Sequence, residues 1–342
     1  MAGPLDIPLD ARILLVDLAY IGDLLMSTPA ITCLRRAFPH ATIDMLVAPA
    51  SLPVIEHNPC LNSVRACNIK GGNQRAIREQ AGLISSCGYH LAISFHRAHA
   101  SLLMLRASGI PHRVGFTGDG RGLMLTRGVP FRLWEHRALN HLRLLEQGLR
   151  IEVDYVTPTL LELDPEAVAE IDRRFQAVAP GARLAAINPN ASWPTKHWGA
   201  DRFACVADGL ADSGLVPVLI GSPKEKPVAE EVRRLMKTEP VDMTGQTTLH
   251  QLAALLARMH LIITNDSGPM HMAQALGVPV VSVFGPTDPL RCGPWGSGIP
   301  TFQADVDCIK CYRKTCWHLS CMNQIEAERV LEVARSSIRN PR

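Results

Sequence analysis

The chain predicts an α/β fold in two domains, each a parallel sheet with helices on both faces, and three observations carry this. At 342 residues it is too long for one ordinary core and suits two of roughly 150 residues. Short apolar runs of strand length alternate with stretches of helical period, the pattern of parallel strands joined by helical crossovers. The alternation lapses once, at a proline-bearing stretch, and then restarts.

Residues 13–16 form the first strand, a continuous apolar run suited to burial on both faces. A loop from Ala19 to Asp23 follows. Leu24, Leu25, Ile31 and Leu34 recur at helical spacing over 24–37, with Pro29 arguing against one unbroken helix. Residues 42–47, 91–95 and 113–116 supply further strands. The lapse at 154–165 reads as a linker, dividing a first domain, 1–160, from a second, 161–342. In the second half, strands are expected at 184–187, 216–220, 261–264 and 280–284, and helices at 202–210, 228–236, 249–259 and 270–276. Ligands of such sheets bind beyond the carboxyl ends of the strands, here the loops after Val16, Ile187, Ile220, Thr264 and Phe284.

Composition sets the broad class. Hydrophobic residues make up 47% and charged residues 20%, an ordinary globular balance. No stretch approaches the roughly 18 uninterrupted apolar residues of a membrane span, and residues 1–9 carry no signal-like pattern, so a cytoplasmic enzyme is expected. The net charge of +3 is uneven: residues 1–160 hold sixteen Lys and Arg against twelve Asp and Glu, leaving −1 for the rest. From Arg97 to Arg150 there are nine arginines and no lysine, with Asp119, Glu135 and Glu146 the acids and His99, His112, His136 and His141 interspersed. These are either solvated helix faces or a surface for an anionic small molecule or lipid headgroup. Nucleic acid is disfavoured, because no helix-turn-helix, aromatic RNA-binding signature or zinc-finger spacing accompanies the charge.

Four loops carry candidate chemistry. In the first, Gly22 lets the backbone approach a ligand, and Asp23 is either a general base for an attacking hydroxyl or a helix N-cap. In the second, 188–198, Ser192 and Thr195 stand near Lys196, whose compact charge suits a phosphate oxygen; otherwise Trp193 and Trp198 plug the core edge of a surface loop. In the third, 264–271, a strand ends and a helix begins at Ser267-Gly268-Pro269, where free N–H groups suit a diphosphate. Asp266 there suits sugar hydroxyls, and His271 lies on the first turn; the plainer reading is a cap with a structural histidine. The fourth, 285–289, reads as turn chemistry, with Thr287 and Asp288 as possible ligand contacts. Near the C-terminus, Cys308, Cys311, Cys316 and Cys321 suit a structural Zn²⁺ or an iron–sulfur cluster, or are reduced and packed. The other six, Cys33, Cys60, Cys67, Cys87, Cys205 and Cys292, read as dispersed small core residues.

Taken in order, 13–29 with Gly22-Asp23, Ser192 to Trp198, Asn265 to His271 and Val283 to Pro289 resemble the ADP-heptose:lipopolysaccharide heptosyltransferases of glycosyltransferase family 9 over nearly the whole chain. The cysteine tract is similar to that of the heptosyltransferase II branch. The resemblance implies a GT-B fold, two Rossmann-like parallel-sheet domains facing a central cleft, the first binding acceptor and the second the nucleotide sugar. It implies inverting transfer of heptose from ADP-heptose to the inner core of lipopolysaccharide, onto Kdo or a first heptose, with no cofactor and no catalytic metal. Asp23 then corresponds to the base and Lys196 to the cation that offsets charge on the leaving diphosphate. Ser192, Ser267 and Gly268 correspond to phosphate contacts, Asp266 to the residue orienting heptose and His271 to its support. Thr247 falls at the adenine contact and Glu225 near the ribose contact. The partners implied are ADP-heptose, an anionic lipopolysaccharide-core acceptor and, transiently, the inner membrane surface. The chain departs from the family at 18–21, where Leu-Ala-Tyr-Ile replaces more polar residues before Gly-Asp, which bears on acceptor identity. Alternatives on the same architecture are a sugar-nucleotide 2-epimerase, another nucleotide-sugar glycosyltransferase, or a module that binds without chemistry. A nicotinamide dehydrogenase is disfavoured, since no G-x-G-x-x-G follows the first strand.

Overall fold

The computed structural model describes residues 5–339. The chain divides into two compact units, one ending at Glu162 and the other starting at Leu163, close to the boundary expected at 160/161.

In the first unit the elements run β1 (Arg12–Asp17), α1 (Ile21–Leu25), α2 (Thr28–Ala37), β2 (Thr42–Val47), β3 (Ser63–Ala66), α3 (Gln74–Ser85), β4 (Leu91–Ser94), α4 (His99–Ala107), β5 (His112–Phe116), β6 (Arg127–Val129) and α5 (Arg137–Leu149). All six strands are parallel, in the order β3-β2-β1-β4-β5-β6. Central β1 is buried from Ile13 to Asp17, which is why its sequence is apolar without alternation. Its Val16 stands opposite Leu46 and Ser94. On one face Leu14, Val16, Leu46 and Ala92 pack against Ile77, Ala81 and Ile84 of α3 and Met104 and Leu105 of α4. The helical spacing over 24–37 resolves into two helices. The first closes at Leu25, and Pro29 takes a first-turn position in α2, where its missing N–H costs no helical hydrogen bond.

The second unit runs α6 (Pro165–Val178), β7 (Arg183–Asn188), α7 (Ala200–Ala211), β8 (Leu215–Leu219), α8 (Lys226–Leu235), β9 (Val241–Asp242), α9 (Leu249–Ala257), β10 (Leu261–Asn265), α10 (Gly268–Ala275), β11 (Val280–Phe284), α11 (Pro289–Cys292), β12 (Thr301–Gln303), α12 (Ser320–Asn323) and α13 (Ala327–Arg339). Its parallel sheet has the order β12-β11-β10-β7-β8-β9. Counted from its own first strand, this is the same order as in the first unit, the doubly wound Rossmann arrangement. Trp198, Phe203, Ala207 and Leu210 fill one side with Val330 and Ala334 of α13. Crossovers leave each sheet in opposite directions at β1/β4 and at β7/β10. A crevice opens there at the carboxyl edge, and loops meet in it.

Candidate active site

In the first unit the crevice is formed by the end of β1 and the segment after β4. Asp17 closes β1 and is only 2% exposed, its Oδ1 accepting from the Ala19 N–H at 3.3 Å. Burial, and then the neighbouring Asp23 carboxylate, push its pKa up to about 7, against an opposing pull from Arg137. Sequence reasoning passes over this residue. Its one signal is an acid ending an otherwise unbroken apolar strand.

Asp23 is not the helix cap. The capping position of α1 is Tyr20, which makes no side-chain cap bond, and Asp23 lies in the first turn. Its Oδ1 instead pairs with Arg137 Nε at 3.0 Å, and both side chains keep partial exposure. Arg137 is set at the start of α5, whose cap is the His136 ring accepting from the Ala138 N–H at 3.1 Å. Two further histidines surround this pair. His96 holds its Nδ1 2.8 Å from Ser101 Oγ, and burial, then Arg137, lower its pKa. His141 is buried between Phe95 and Phe116, 3.2 Å from the Met26 carbonyl, and burial, then Arg137, lower its pKa to about 3. His141 is therefore neutral near pH 7 and donates to that carbonyl.

The arginine-rich stretch does not form one open basic face. Arg113 donates to the carbonyls of Ile110 and Met124, Arg121 to those of Arg97 and Gly118, and Arg127 to that of Gly148. Arg143 clasps Glu135 with two nitrogens, and Arg97 stacks 4.2 Å over the Phe131 ring. Arginine's planar fork serves here mainly to tie loops together.

The second unit brings together residues from the ends of three strands, β7, β10 and β11. Asn188, at the end of β7, donates to Thr264 Oγ1 at 2.9 Å and to Ser267 Oγ at 2.7 Å, locking the start of α10 to the next strand. Ser267 is the capping residue of α10 but its side chain makes no cap bond, and Pro269 follows in the first turn. Lys196 sits in a tight turn, Pro194–Lys196, and is 9% exposed. Its Nζ meets Asp266 Oδ2 at 2.6 Å, and Thr287 Oγ1 donates to the same oxygen at 2.6 Å. Lys196 Nζ also lies 4.7 Å from the centre of the Trp193 ring. Asp266 is 7% exposed and His271 is buried in the first turn of α10. Lys196, Asp266, Ser267, Gly268 and His271 thus share one edge. Thr287 joins them through its hydroxyl, whereas Asp288 caps α11 through the Leu290 N–H, the turn chemistry expected of it.

The other candidates stand apart from that contact network. Ser192 is exposed on the loop before the turn. Glu225, after β8, accepts from the Ser222 N–H at 2.6 Å and so completes a capping box. Thr247 is half-buried after β9, next to Thr248, the cap of α9. The cysteines split as well. Cys33 and Cys67 are buried as expected, but Cys60, Cys87 and Cys292 are only half-buried and Cys205 is exposed, so small core residue is the wrong description for those four.

The comparisons with known proteins fit this geometry. Lipopolysaccharide heptosyltransferase 3 of Escherichia coli K12 is 28% identical over 298 residues, covering 83% of this chain and 86% of its own. A solved glycosyl transferase family 9 structure from Veillonella parvula superposes with a TM-score of 0.88 at 26% identity, covering 98% of this chain and 99% of that one. The E. coli ADP-heptose lps heptosyltransferase II structure gives 0.81 at 24% identity, covering 96% and 98%, and shares the fold. Residues 79–321 match the sequence model of glycosyltransferase family 9 (heptosyltransferase), and with two Rossmann-like sheets of GT-B type the chain belongs to that family of glycosyltransferases.

Proposed function

We propose that the protein transfers heptose from ADP-heptose to the inner core of lipopolysaccharide, with inversion and without a catalytic metal. The observation that carries this reading is the buried Lys196–Asp266 pair set beside the amino end of α10. An ammonium group and free N–H groups meet a departing diphosphate there before the reaction begins, so little reorganisation is needed as charge develops. Asp266, held by Lys196 and Thr287, keeps one carboxylate oxygen for sugar hydroxyls. In the first unit Asp23 accepts the proton of the attacking hydroxyl. The oxygen bonds to the anomeric carbon, the bond from that carbon to the diphosphate breaks, and ADP departs with the electron pair. Arg137 holds the carboxylate of Asp23 in place while leaving it partly exposed to the acceptor.

The relative's name supports heptose as the sugar and lipopolysaccharide as the product. Contact with the inner membrane surface is part of the proposal. No helix among the described residues is long and apolar enough to cross a membrane, but Leu123, Leu133 and Trp134 are exposed on the loops around β6. Trp134→Ala with Leu123→Ala is expected to weaken sedimentation with anionic vesicles; unchanged binding removes these side chains from the contact.

The deciding experiment offers the purified protein ADP-heptose with Kdo-terminated or heptose-terminated core acceptors and reads product mass. A mass gain of one heptose, without need of added Mg²⁺, supports the reading. Conversion of the donor sugar in the absence of acceptor would instead identify an epimerase.

A further inference from the structure

Between β12 and α12 the chain runs from residue 304 to 319 without helix or strand and lies against the loops of the donor half-site. Its cysteines do not gather into a metal site: among the described residues no three of the sulfurs lie within 4.8 Å of one another. What the tract brings to those loops is charge. From Cys308 to Ile325 the sequence carries Lys310, Arg313 and Lys314 and no Asp or Glu.

The backbone is pinned just before Lys314. Thr195 Oγ1, in the turn that holds Lys196, donates to the Arg313 carbonyl at 2.8 Å. The Tyr312 N–H donates to the Pro286 carbonyl at 2.9 Å, and the Asp288 N–H donates to Tyr312 Oη at 3.2 Å. Lys310 pairs with Asp288 at 3.1 Å, whereas no carboxylate pairs with Lys314 among the described residues. The Lys314 side chain is exposed, and its Nζ lies 5.0 Å from the centre of the Trp193 ring. Lys196 Nζ lies 4.7 Å from the same centre, so one indole stands beside both ammonium groups.

The two cations differ in what balances them. Lys196 is buried against Asp266 at 2.6 Å, and that pair is formally neutral as it faces a ligand. A diphosphate brings several negative charges and gains another when its bond to the sugar breaks. The N–H groups at the start of α10 offer partial charge only. Lys314 keeps its full charge, and its long flexible stem lets the ammonium turn from the ring to a phosphate oxygen.

We propose that Lys314 is the second cation of the donor half-site, binding the diphosphate of the nucleotide sugar and supplying the net positive charge that the Lys196–Asp266 pair lacks. This rests on the donor reading proposed above. Because charge on the diphosphate grows as ADP departs, Lys314 contributes more in the transition state than in the bound donor.

The test is calorimetry with ADP on the full chain, alongside turnover with ADP-heptose and a core acceptor. Lys314→Met is expected to weaken ADP binding and to lower turnover about tenfold each, with the thermal midpoint of the ligand-free protein unchanged. Lys314→Arg keeps the charge and should restore most of both. Lys237→Met removes the same charge before β9, at the opposite, amino edge of the sheet, and should leave both as in the wild type. Wild-type ADP affinity in Lys314→Met, an Arg variant as weak as the Met variant, or an equal loss in Lys237→Met overturns the role of Lys314 and leaves the donor reading standing. A wild-type protein that does not bind ADP overturns the donor reading, and this inference with it.

Discussion

The two units place the same strand order and the same crevice under different charge regimes. In the second unit Lys196 and Asp266 stand 2.6 Å apart, buried, with Thr287 on the shared oxygen, so a cation is already positioned beside the amino end of a helix. In the first unit a carboxylate, Asp17, is buried at the strand end with its pKa near 7, while Asp23 is half open and held by Arg137. The proposed function assigns the anion to the crevice with Lys196 and the proton to the crevice with Asp23. The difference lies in a few side chains at the strand ends, because the sheets themselves supply only the edge.

That contrast can be broken most sharply at Lys196. Lys196→Ala is expected to lower turnover by about 10²- to 10³-fold through loss of charge facing the leaving group. It also strips Asp266 of its buried partner, at a stability cost on the order of 3 kcal/mol. Adding Asp266→Asn should recover the thermal midpoint without recovering turnover, and recovery of both would make the pair structural. Next, Asp23→Ala is expected to reduce turnover about 100-fold or more with donor affinity nearly intact. Calorimetry with ADP alongside kinetics checks the split, and unchanged turnover removes Asp23 from the mechanism.

The proton side of the comparison is sharpened by Asp17→Asn. The folded pKa of Asp17, about 7, lies above its ordinary 3.8, so the native state holds that proton more tightly than the unfolded chain. Its contribution is intact below pH 3.8 and is lost as pH rises to about 7. At pH 8 the ionised group costs on the order of 4 kcal/mol at most. Asp17→Asn should therefore raise the thermal midpoint at pH 8 and leave it nearly unchanged at pH 4; equal effects at both would place the carboxyl outside the buried cluster. The smallest effect is expected at Glu225. Glu225→Gln weakens a capping box and should cost about 0.5 to 1 kcal/mol. A loss of ADP affinity well beyond threefold would show that its carboxylate also meets the ribose.

Much of the fold is legible in the order of residues, and particular segments show why. The buried central strands announce themselves because both faces are covered, which forces runs such as Ile13 to Val16 and Leu261 to Thr264. The edge strands β3, β6, β9 and β12 are two to four residues long and partly exposed, so they carry no such run and escape a reading by pattern. The loops after β7, β10 and β11 do bear Lys196, Asp266 and Thr287, as expected, because strand ends and turn residues mark them, whereas Asp23, expected in a loop from Ala19 to Asp23, lies in the first turn of α1. Thr287's bond to Asp266 is not legible in this way, since it joins residues from two separate crossovers.

What the sequence determined alone is the alternation, the two cores and the chemistry carried to each strand end, since these depend on periodicity and on residues close in the chain. Tertiary structure decided how each group is used. It made Asp17 a reluctant acid by burial, turned most of the arginines between Arg97 and Arg150 inward to carbonyls and carboxylates, and gave Glu225 to a cap. Desolvation and charge pairing depend on neighbours that arrive from distant segments, and those neighbours exist only once the sheet has assembled them.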